Sequence, residues 1–352
     1  MKKTFSLLFA LSFALSVMAQ APSNYYNSAN GLSGNALKTA LHNIIKGHTA
    51  ISYSATADAF WSTDNKGSGV VWDMYSDRPG GTPPYTFHLG QDQCGNYDSE
   101  GDCYNREHSW PQSWFNEQTT PRCDLHHIFP TDGFVNGKRS NYAFGEVRSA
   151  TWTSRNGSKL GTCKTSGFSG TVFEPIDEYK GDFARAIMYM SVRYYTEDSG
   201  WSTSDMTNKS EIKPWAIQML MRWNEQDPVS QKEIDRNNVI YSQYQHNRNP
   251  FIDHPEYARM IWDPTWNVVG EETAHVTIFP NPIERGQMLH VSGNAINGVV
   301  LCDLFGRTVL KVNAHVGDDC VVTLPDDLAQ GCYIVKVMRN GAAVKYEKLL
   351  IK

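Results

Sequence analysis

The sequence predicts an α+β chain in two parts, a mainly helical domain followed by a small all-β, Ig-like sandwich. Three observations predict it. Apolar residues recur at helical spacing along much of the first 260 positions, short β-rich runs alternate with turns from Val276 onward, and the texture changes between them over Val268–Ala274. A length of 352 residues leaves room for one large domain and a module. Hydrophobic residues at 40% and charged residues at 20% are a globular balance, with no run that points to long disorder.

Taken in order, residues 1–19 read as an export signal. Lys2 and Lys3 precede the apolar stretch Phe5–Val17, and Val17-Met18-Ala19 is a small-x-small cleavage site, so the mature chain is expected to begin near Gln20. Elsewhere no apolar run reaches membrane-spanning length, and a soluble mature chain without a membrane span is expected. Gly34–Lys46 is predicted helical, with Leu37, Leu41, Ile44 and Ile45 on one face and Gly47 as a stop. Gly69–Tyr75 reads as a short strand or buried segment, and Gly80-Gly81 with Pro83-Pro84 as a loop. Helices are predicted over Asp182–Tyr195, over Lys213–Asn224 with Pro214 in the first turn, over 229–245, and from His254 through Ile261. Few strands are expected before residue 270. The tail then offers strands at Val276–Phe279, Leu289–Val291, Val299–Leu304, Thr308–Val312, Val321–Leu324, Tyr333–Val337 and Lys345–Ile351, an antiparallel sandwich of about 75 residues. The division is therefore 1–19 signal, 20–270 main domain and 271–352 tail.

Export governs how the seven cysteines are read. Cys94, Cys103, Cys123 and Cys163 can form two disulfides in three pairings, and Cys94 with Cys103 would close a short loop. Their spacing is neither that of a zinc ribbon nor of a CxxC redox pair. Cys302, Cys320 and Cys332 leave an odd thiol in the tail.

A net charge of −5 argues against a global electrostatic clamp on nucleic acid. The local pattern differs. Asp92–Asp124 carries seven carboxylates, and Lys138–Lys164 then carries six basic residues against one Glu. An acidic, metal-capable segment followed by a basic one suits a phosphodiester. Lys138, Arg139, Arg148, Arg155 and Lys159 are available for backbone phosphates, whereas Tyr194, Tyr195 and the tryptophans are read as core.

The chemistry concentrates in two stretches. In Asn105-Arg106-Glu107-His108-Ser109-Trp110-Pro111, Glu107 can hold a hard cation through oxygen and His108 can take a proton from water near neutral pH. Neighbours on an extended segment point to opposite sides, so the strand must end or twist there for both to reach one phosphate. The second stretch runs from Asp124-Leu125-His126-His127-Ile128-Phe129-Pro130 to Val135-Asn136-Gly137-Lys138-Arg139-Ser140-Asn141-Tyr142-Ala143-Phe144-Gly145. Asn136 and Asn141 each offer a neutral amide oxygen, and on a helix they do not share a face, so one of them is the ligand. Adjacent His126 and His127 cannot make the i, i+4 zinc face of a metalloprotease and are read as orienting or core histidines.

Together, "NREHSWP", "DLHHIFP" and "VNGKRSNYAFG" resemble the endonuclease I family in order and spacing, over about Leu37–Met260. The resemblance implies a His-Me-finger (ββα-metal) fold set among helices. It implies His108 as general base, Glu107 and Asn136 as metal ligands, and Arg122 as the arginine that holds the product phosphate. Arg106, Lys138, Arg139 and Asn141 are expected to bind substrate. One Mg²⁺ ion is implied, with Mn²⁺ or Ca²⁺ as alternatives. The reaction implied is phosphodiester hydrolysis of DNA, or also RNA, with little sequence preference and 5′-phosphate ends. The second block has His127 where the family often has Asn. In the tail, "IFPNP", "LCDLFGRTVLK", "GCYIVKV" and "KLLIK" resemble the C-terminal sorting domain read by the type IX secretion system. That implies passage through the periplasm to the outside or the outer surface, with the secretion machinery as a partner, and a monomeric enzyme is expected. A secreted adhesin or nucleic-acid-binding protein on an inactive nuclease fold is the competing reading, and the intact Glu107–His108–Asn136 set argues against it. No nucleophile elbow, HExxH or papain-like motif supports a peptidase.

Overall fold

The computed structural model describes residues 21–263, 276–303, 307–339 and 342–352. The predicted signal at 1–19 and the texture change at 268–274 lie outside them. The chain divides into two compact units, one within Met1–Trp266 and one within Asn267–Lys352.

The first unit opens with α1 (Gly34–Ile45), whose Leu37, Leu41 and Ile45 recur at helical spacing and are fully buried. Next is α2 (Tyr53–Thr63), capped by the Ser52 hydroxyl accepting from the Ala55 amide at 3.2 Å. Sequence periodicity misses α2, because its buried face is Thr56, Ala59, Phe60 and Thr63, half of it hydroxylated. Gly69–Tyr75 is the expected buried segment, with isolated bridges at Val70 and Val71 and with Met74 and Tyr75 sealed in the core.

The centre of the unit is a strand–strand–helix motif. β1 (Tyr104–His108) is followed by a short helix α3 (Thr119–Arg122) and then by β2 (Ile128–Asp132). The two strands pair antiparallel from Tyr104↔Asp132 to His108↔Ile128. α4 (Gly133–Arg139) leaves β2 directly and packs on both strands. Its N-cap is Asp132, whose carboxylate accepts from the Val135 amide at 2.8 Å and from the Gly101 amide at 2.8 Å.

β3 (Ala143–Phe144), β4 (Val147–Thr153), β5 (Lys159–Cys163) and β6 (Thr171–Glu174) form a sheet in the order β3-β6-β5-β4, with β3 and β6 parallel. This sheet departs from the expectation of few strands. Most of β4 is exposed on both faces, so it lacks the alternation by which a strand is read.

α5 (Lys180–Arg193) is buried from Gly181 to Arg193 and runs through the core against α1. The hairpin β7 (Thr207–Asn208) and β8 (Glu211–Ile212) leads to α6 (Pro214–Gln226), which lies along α5. α7 (Gln231–Val239) starts with a Ser230/Glu233 capping box and continues as a π-helical turn over Ile240–Tyr244. The short helices α8 (Pro250–Asp253) and α9 (Tyr257–Trp262) close the unit.

Ion pairs tie these helices to the motif. Arg236 on α7 bonds Asp64 at 3.1 Å and the Ile128 carbonyl of β2 at 2.7 Å. Arg185 on α5 makes a two-pronged contact with Glu233 at 2.6 and 2.8 Å.

The second unit is all β. β9 (Thr277–Phe279), β10 (Met288–Cys302), β11 (Thr308–Thr323), β12 (Gly331–Arg339) and β13 (Ala342–Ile351) form one antiparallel sheet. The predicted runs Leu289–Val291 and Val299–Leu304 belong to a single long strand as far as Cys302; Asp303 lies past its end and Leu304 lies outside the described residues. β10 shifts register between Ser292 and Gly298, pairing β9 before the shift and β12 after it. Its core, with Val291, Leu301, Val335, Val337 and Leu349, is separate from that of the first unit.

Candidate active site

β1 ends at His108, where the Ser109 amide bonds the His127 carbonyl at 3.0 Å. At this strand end Arg106, Glu107 and His108 come to one cleft of about 260 Å³. Pro111, Gln112 and Ser113 line it from the following segment, and Asn136, Arg139, Ser140 and Asn141 from α4 and its exit. Six of the sequence-predicted residues thus share one cleft. Arg122 and Lys138 are not among its walls.

Glu107 is almost wholly buried. Its Oε1 accepts from the Tyr75 hydroxyl at 3.1 Å and lies 3.0 Å from the Arg139 guanidinium. Oε2 has no protein partner among the described residues and is not sealed from the cleft. Burial pushes the carboxyl up to about 7, against the pull of Arg139 and the Tyr75 hydroxyl.

Asn136 faces it from α4. Its side-chain nitrogen donates to Asn105 Oδ1 at 2.7 Å and to the Arg106 carbonyl at 3.3 Å, which orients the amide and leaves Oδ1 without a partner among the described residues. Two oxygen donors without protein partners, one anionic and one neutral, suit a hard divalent ion. Asn141 lies beyond the helix end, where Ser140 takes a positive φ of 50°, so it is not carried on α4 with Asn136, and both asparagines line the cleft.

His108 places its Nε2 3.0 Å from the Arg122 carbonyl. A carbonyl only accepts, so Nε2 carries the proton and Nδ1 holds the lone pair. Burial, with His127 beside it at 5.5 Å between ring centres, pulls the imidazole down to about 3. The ring is therefore neutral at neutral pH, and its Nδ1 lone pair has no protein partner among the described residues.

Arg139 is buried. Its guanidinium donates to the carbonyls of His108 at 2.8 Å and Ser109 at 2.6 Å besides pairing with Glu107. Its place is behind the cleft, holding the strand end, rather than in solvent. Arg106 and Arg122 sit 3.8 and 4.2 Å from the centre of the Tyr53 ring, and that ring is stacked on His108 at 22°. Arg122 also donates to Gln112 Oε1 at 2.8 Å. Lys138 is half-buried over the Phe134 ring and pairs with no carboxylate among the described residues.

Sequence reading missed Tyr53 and Tyr75. Tyr75 lies in a segment read only as buried, and Tyr53 begins a helix of weak periodicity. A Ser52 cap before Tyr53 was the one available signal. His126 and His127 are core residues: His126 lies on Tyr189, and His127 Nε2 lies 2.6 Å from the Pro121 carbonyl.

Cys94 and Cys103 are bonded, closing the loop that feeds β1. The alternative use of Cys123 and Cys163 as a second disulfide does not occur; both are free and buried.

The family model described as Endonuclease I matches residues 33–256, and the model described as Secretion system C-terminal sorting domain matches residues 277–352. An extracellular ribonuclease of Bacillus amyloliquefaciens is 40% identical over 246 residues, covering 68% of this chain and 78% of that protein. An extracellular ribonuclease of Bacillus subtilis (strain 168) is 37% identical over 245 residues, with the same coverage of 68% and 78%. A periplasmic deoxyribonuclease of Aeromonas hydrophila is 30% identical over 132 residues, covering 37% of this chain and 47% of that protein.

Proposed function

The chain belongs to the endonuclease I family, and on that premise we propose that it hydrolyses DNA and RNA without sequence preference, using His108 as general base beside a single divalent ion. It is a secreted nuclease, carried out of the cell by its sorting tail. The single observation that carries the mechanism is the convergence of Glu107, His108 and Asn136 on one cleft.

In this reading β1, β2 and α4 are a His-Me (ββα-metal) finger, and strands β9 to β13, hydrogen-bonded as one sheet with a register shift midway along β10, fold over on themselves as an Ig-like sandwich. Glu107 and Asn136 would hold the ion through their side-chain oxygens, Mg²⁺ in the first place and Mn²⁺ or Ca²⁺ as substitutes. Such an ion supplies charge neutralisation at the scissile phosphate. His108 Nδ1 removes a proton from the attacking water, while the Nε2–H bond to the Arg122 carbonyl holds the tautomer that makes this possible. Attack on the phosphorus breaks the bond to the 3′ oxygen, which takes a proton from solvent water and leaves as a hydroxyl, so the product carries a 5′-phosphate and His108 returns its proton to solvent.

Arg106, with Arg122 on the same Tyr53 ring, offers positive charge to the phosphate and its product. Lys138 and Asn141 hold the flanking strand. Arg139 acts from behind, fixing Glu107. RNA stands beside DNA because the two Bacillus relatives are ribonucleases and the Aeromonas relative is a deoxyribonuclease. The catalytic unit is 20–270, and it works as a monomer.

The test is incubation of the full chain with supercoiled plasmid and with RNA, in Mg²⁺ and in EDTA, beside His108→Ala. Cleavage in Mg²⁺, lost in EDTA and reduced about 100- to 10,000-fold in the variant, is expected. Wild-type rates from folded His108→Ala protein would remove the base from the mechanism.

A further inference from the structure

A second groove opens from the catalytic cleft. The two share Ser113 and Asn141 as walls, and the groove continues past Trp114 and Tyr142 to the turn Ser202–Asp205 and Lys213, with a volume of about 580 Å³. Hydrogen bonds tie its walls together. The Ser202 amide bonds the Trp114 carbonyl at 2.8 Å, the Lys213 ammonium bonds the Ser204 carbonyl at 2.6 Å, and the Trp215 indole bonds the Asp205 carbonyl at 3.1 Å.

Tyr142 stands at the mouth. The reversal at Ser140 turns the chain out of α4, the Tyr142 amide returns to the Arg139 carbonyl at 3.1 Å, and Ala143-Phe144 are buried at once in β3. The backbone is thus pinned on both sides, while the ring is 38% exposed. Neither the Tyr142 side chain nor the Asn141 amide has a hydrogen-bond or ring partner among the described residues.

Charge decides what the groove takes. The catalytic cleft brings Arg106 and Arg139 together with Glu107, whereas this groove balances one cation, Lys213, with one anion, Asp205. A track for further phosphates would be basic. A charge-balanced, polar groove with an open aromatic face and a free amide at its mouth suits a base and its sugar.

Resting on the nuclease reading above, we infer that this groove is a nucleoside subsite, in which an unpaired base next to the cleaved phosphate stacks on Tyr142 and meets the Asn141 amide. A base seated there has left any duplex, so the preferred substrate is single-stranded nucleic acid or frayed and looped segments of duplex.

The test couples the protein to one nucleotide. Full-chain wild type, Tyr142→Ala, Tyr142→Leu and Tyr142→Phe are given a short single-stranded oligonucleotide and versions with one abasic nucleotide at each position flanking the cut. Tyr142→Ala and Tyr142→Leu are expected to lower kcat/KM about 5- to 100-fold, with Tyr142→Phe close to wild type. At one position the abasic nucleotide should cost wild type a similar factor and cost Tyr142→Ala nothing further. The same sequence as a duplex should be cut more slowly.

A parallel measurement needs no turnover. In EDTA, 2-aminopurine at that position should be quenched by wild type and not by Tyr142→Ala. Abasic losses that are equal in wild type and variant at every position, or a flat abasic scan on wild type, would overturn the subsite even if the enzyme is active. Quenching that depends on Tyr142 in a protein that cuts nothing would instead overturn the nuclease reading and leave the subsite standing.

Discussion

His108 meets the Tyr53 ring in a stacked arrangement and the His127 ring edge-on, with Nε2 given to a backbone carbonyl. A neutral imidazole with a fixed tautomer follows from burial and one hydrogen bond, and needs no carboxylate partner. Glu107 has the opposite arrangement. Its charge is supported by Arg139 behind and Tyr75 beside it, so the oxygen facing the cleft is the one left for a cation. A residue that orients a ligand from behind commonly changes metal affinity 10- to 100-fold when removed. Arg139→Met is therefore expected to raise the Mg²⁺ concentration for half-maximal cleavage by roughly that factor, read from a metal titration on protein whose melting shows it folded. An unchanged Mg²⁺ requirement would detach Arg139 from Glu107.

At the scale of elements, the helix that carries Asn136 is seated by a loop. The Gly133 amide bonds the Cys103 carbonyl at 2.9 Å, and Tyr97, inside the Cys94–Cys103 loop, covers the α4 glycines. A Cβ at Gly133 would meet the Tyr97 ring at 2.7 and 2.9 Å. Gly133→Ala is expected to cost about 1–3 kcal/mol in denaturant unfolding, although alanine is the better helix former, because ring and helix cannot both stay where they are. Replacing both Cys94 and Cys103 with serine is expected to cost about 2–3 kcal/mol through the freed loop of the unfolded chain. If both changes were neutral, the loop would not hold α4.

For the whole molecule, buried histidines set the acid limit. Burial holds His126 and His127 down at about 4, with Asp124 opposing it. Asp124, despite burial that would raise it, is held below the usual carboxylate range by His48, His126, His127 and the Gln245 amide. An imidazole that is harder to protonate when folded favours the unfolded chain as protons are added. Its stabilising effect is complete above the unfolded value near 6.5 and is lost as pH falls towards the folded one. The depressed carboxylate acts in the same direction at lower pH. Burial pushes the Asp73, Glu107 and Asp182 carboxyls up to about 7, and these act in the opposite direction as pH falls from 7 to 4, so the histidine effect is read as a difference between proteins. Thermal scans should show the melting temperature of wild type falling more steeply below about pH 6.5 than that of His126→Gln, and parallel profiles down to pH 4 would rule out this account. The two units have separate cores, so a chain ended at 270 is expected to melt and to cut plasmid as the first unit of the full chain does. Loss of activity on that truncation would mean the tail contributes to the site.

Short polar blocks with fixed spacing make much of the site legible in the sequence itself. Glu107, His108 and Asn136 are named by residue chemistry and by family resemblance, and these are local properties of the sequence. Amphipathic spacing does the same for α1, α5 and α6, because one face of each has to be buried. What the sequence could not decide depends on partners distant along the chain. The contact of two arginines with the Tyr53 ring, the Tyr75 hydroxyl on Glu107 and the burial of Arg139 join residues that share no local pattern. The sheet β3–β6 escaped because most of β4 is exposed, with only Val147 and Trp152 partly packed on the core, so no alternation marks the strand. Local sequence determined the chemical groups and the helices that bury an apolar face; only tertiary packing decided which nitrogen of His108 is free, which oxygen of Glu107 faces the cleft, and which groove lies beside them.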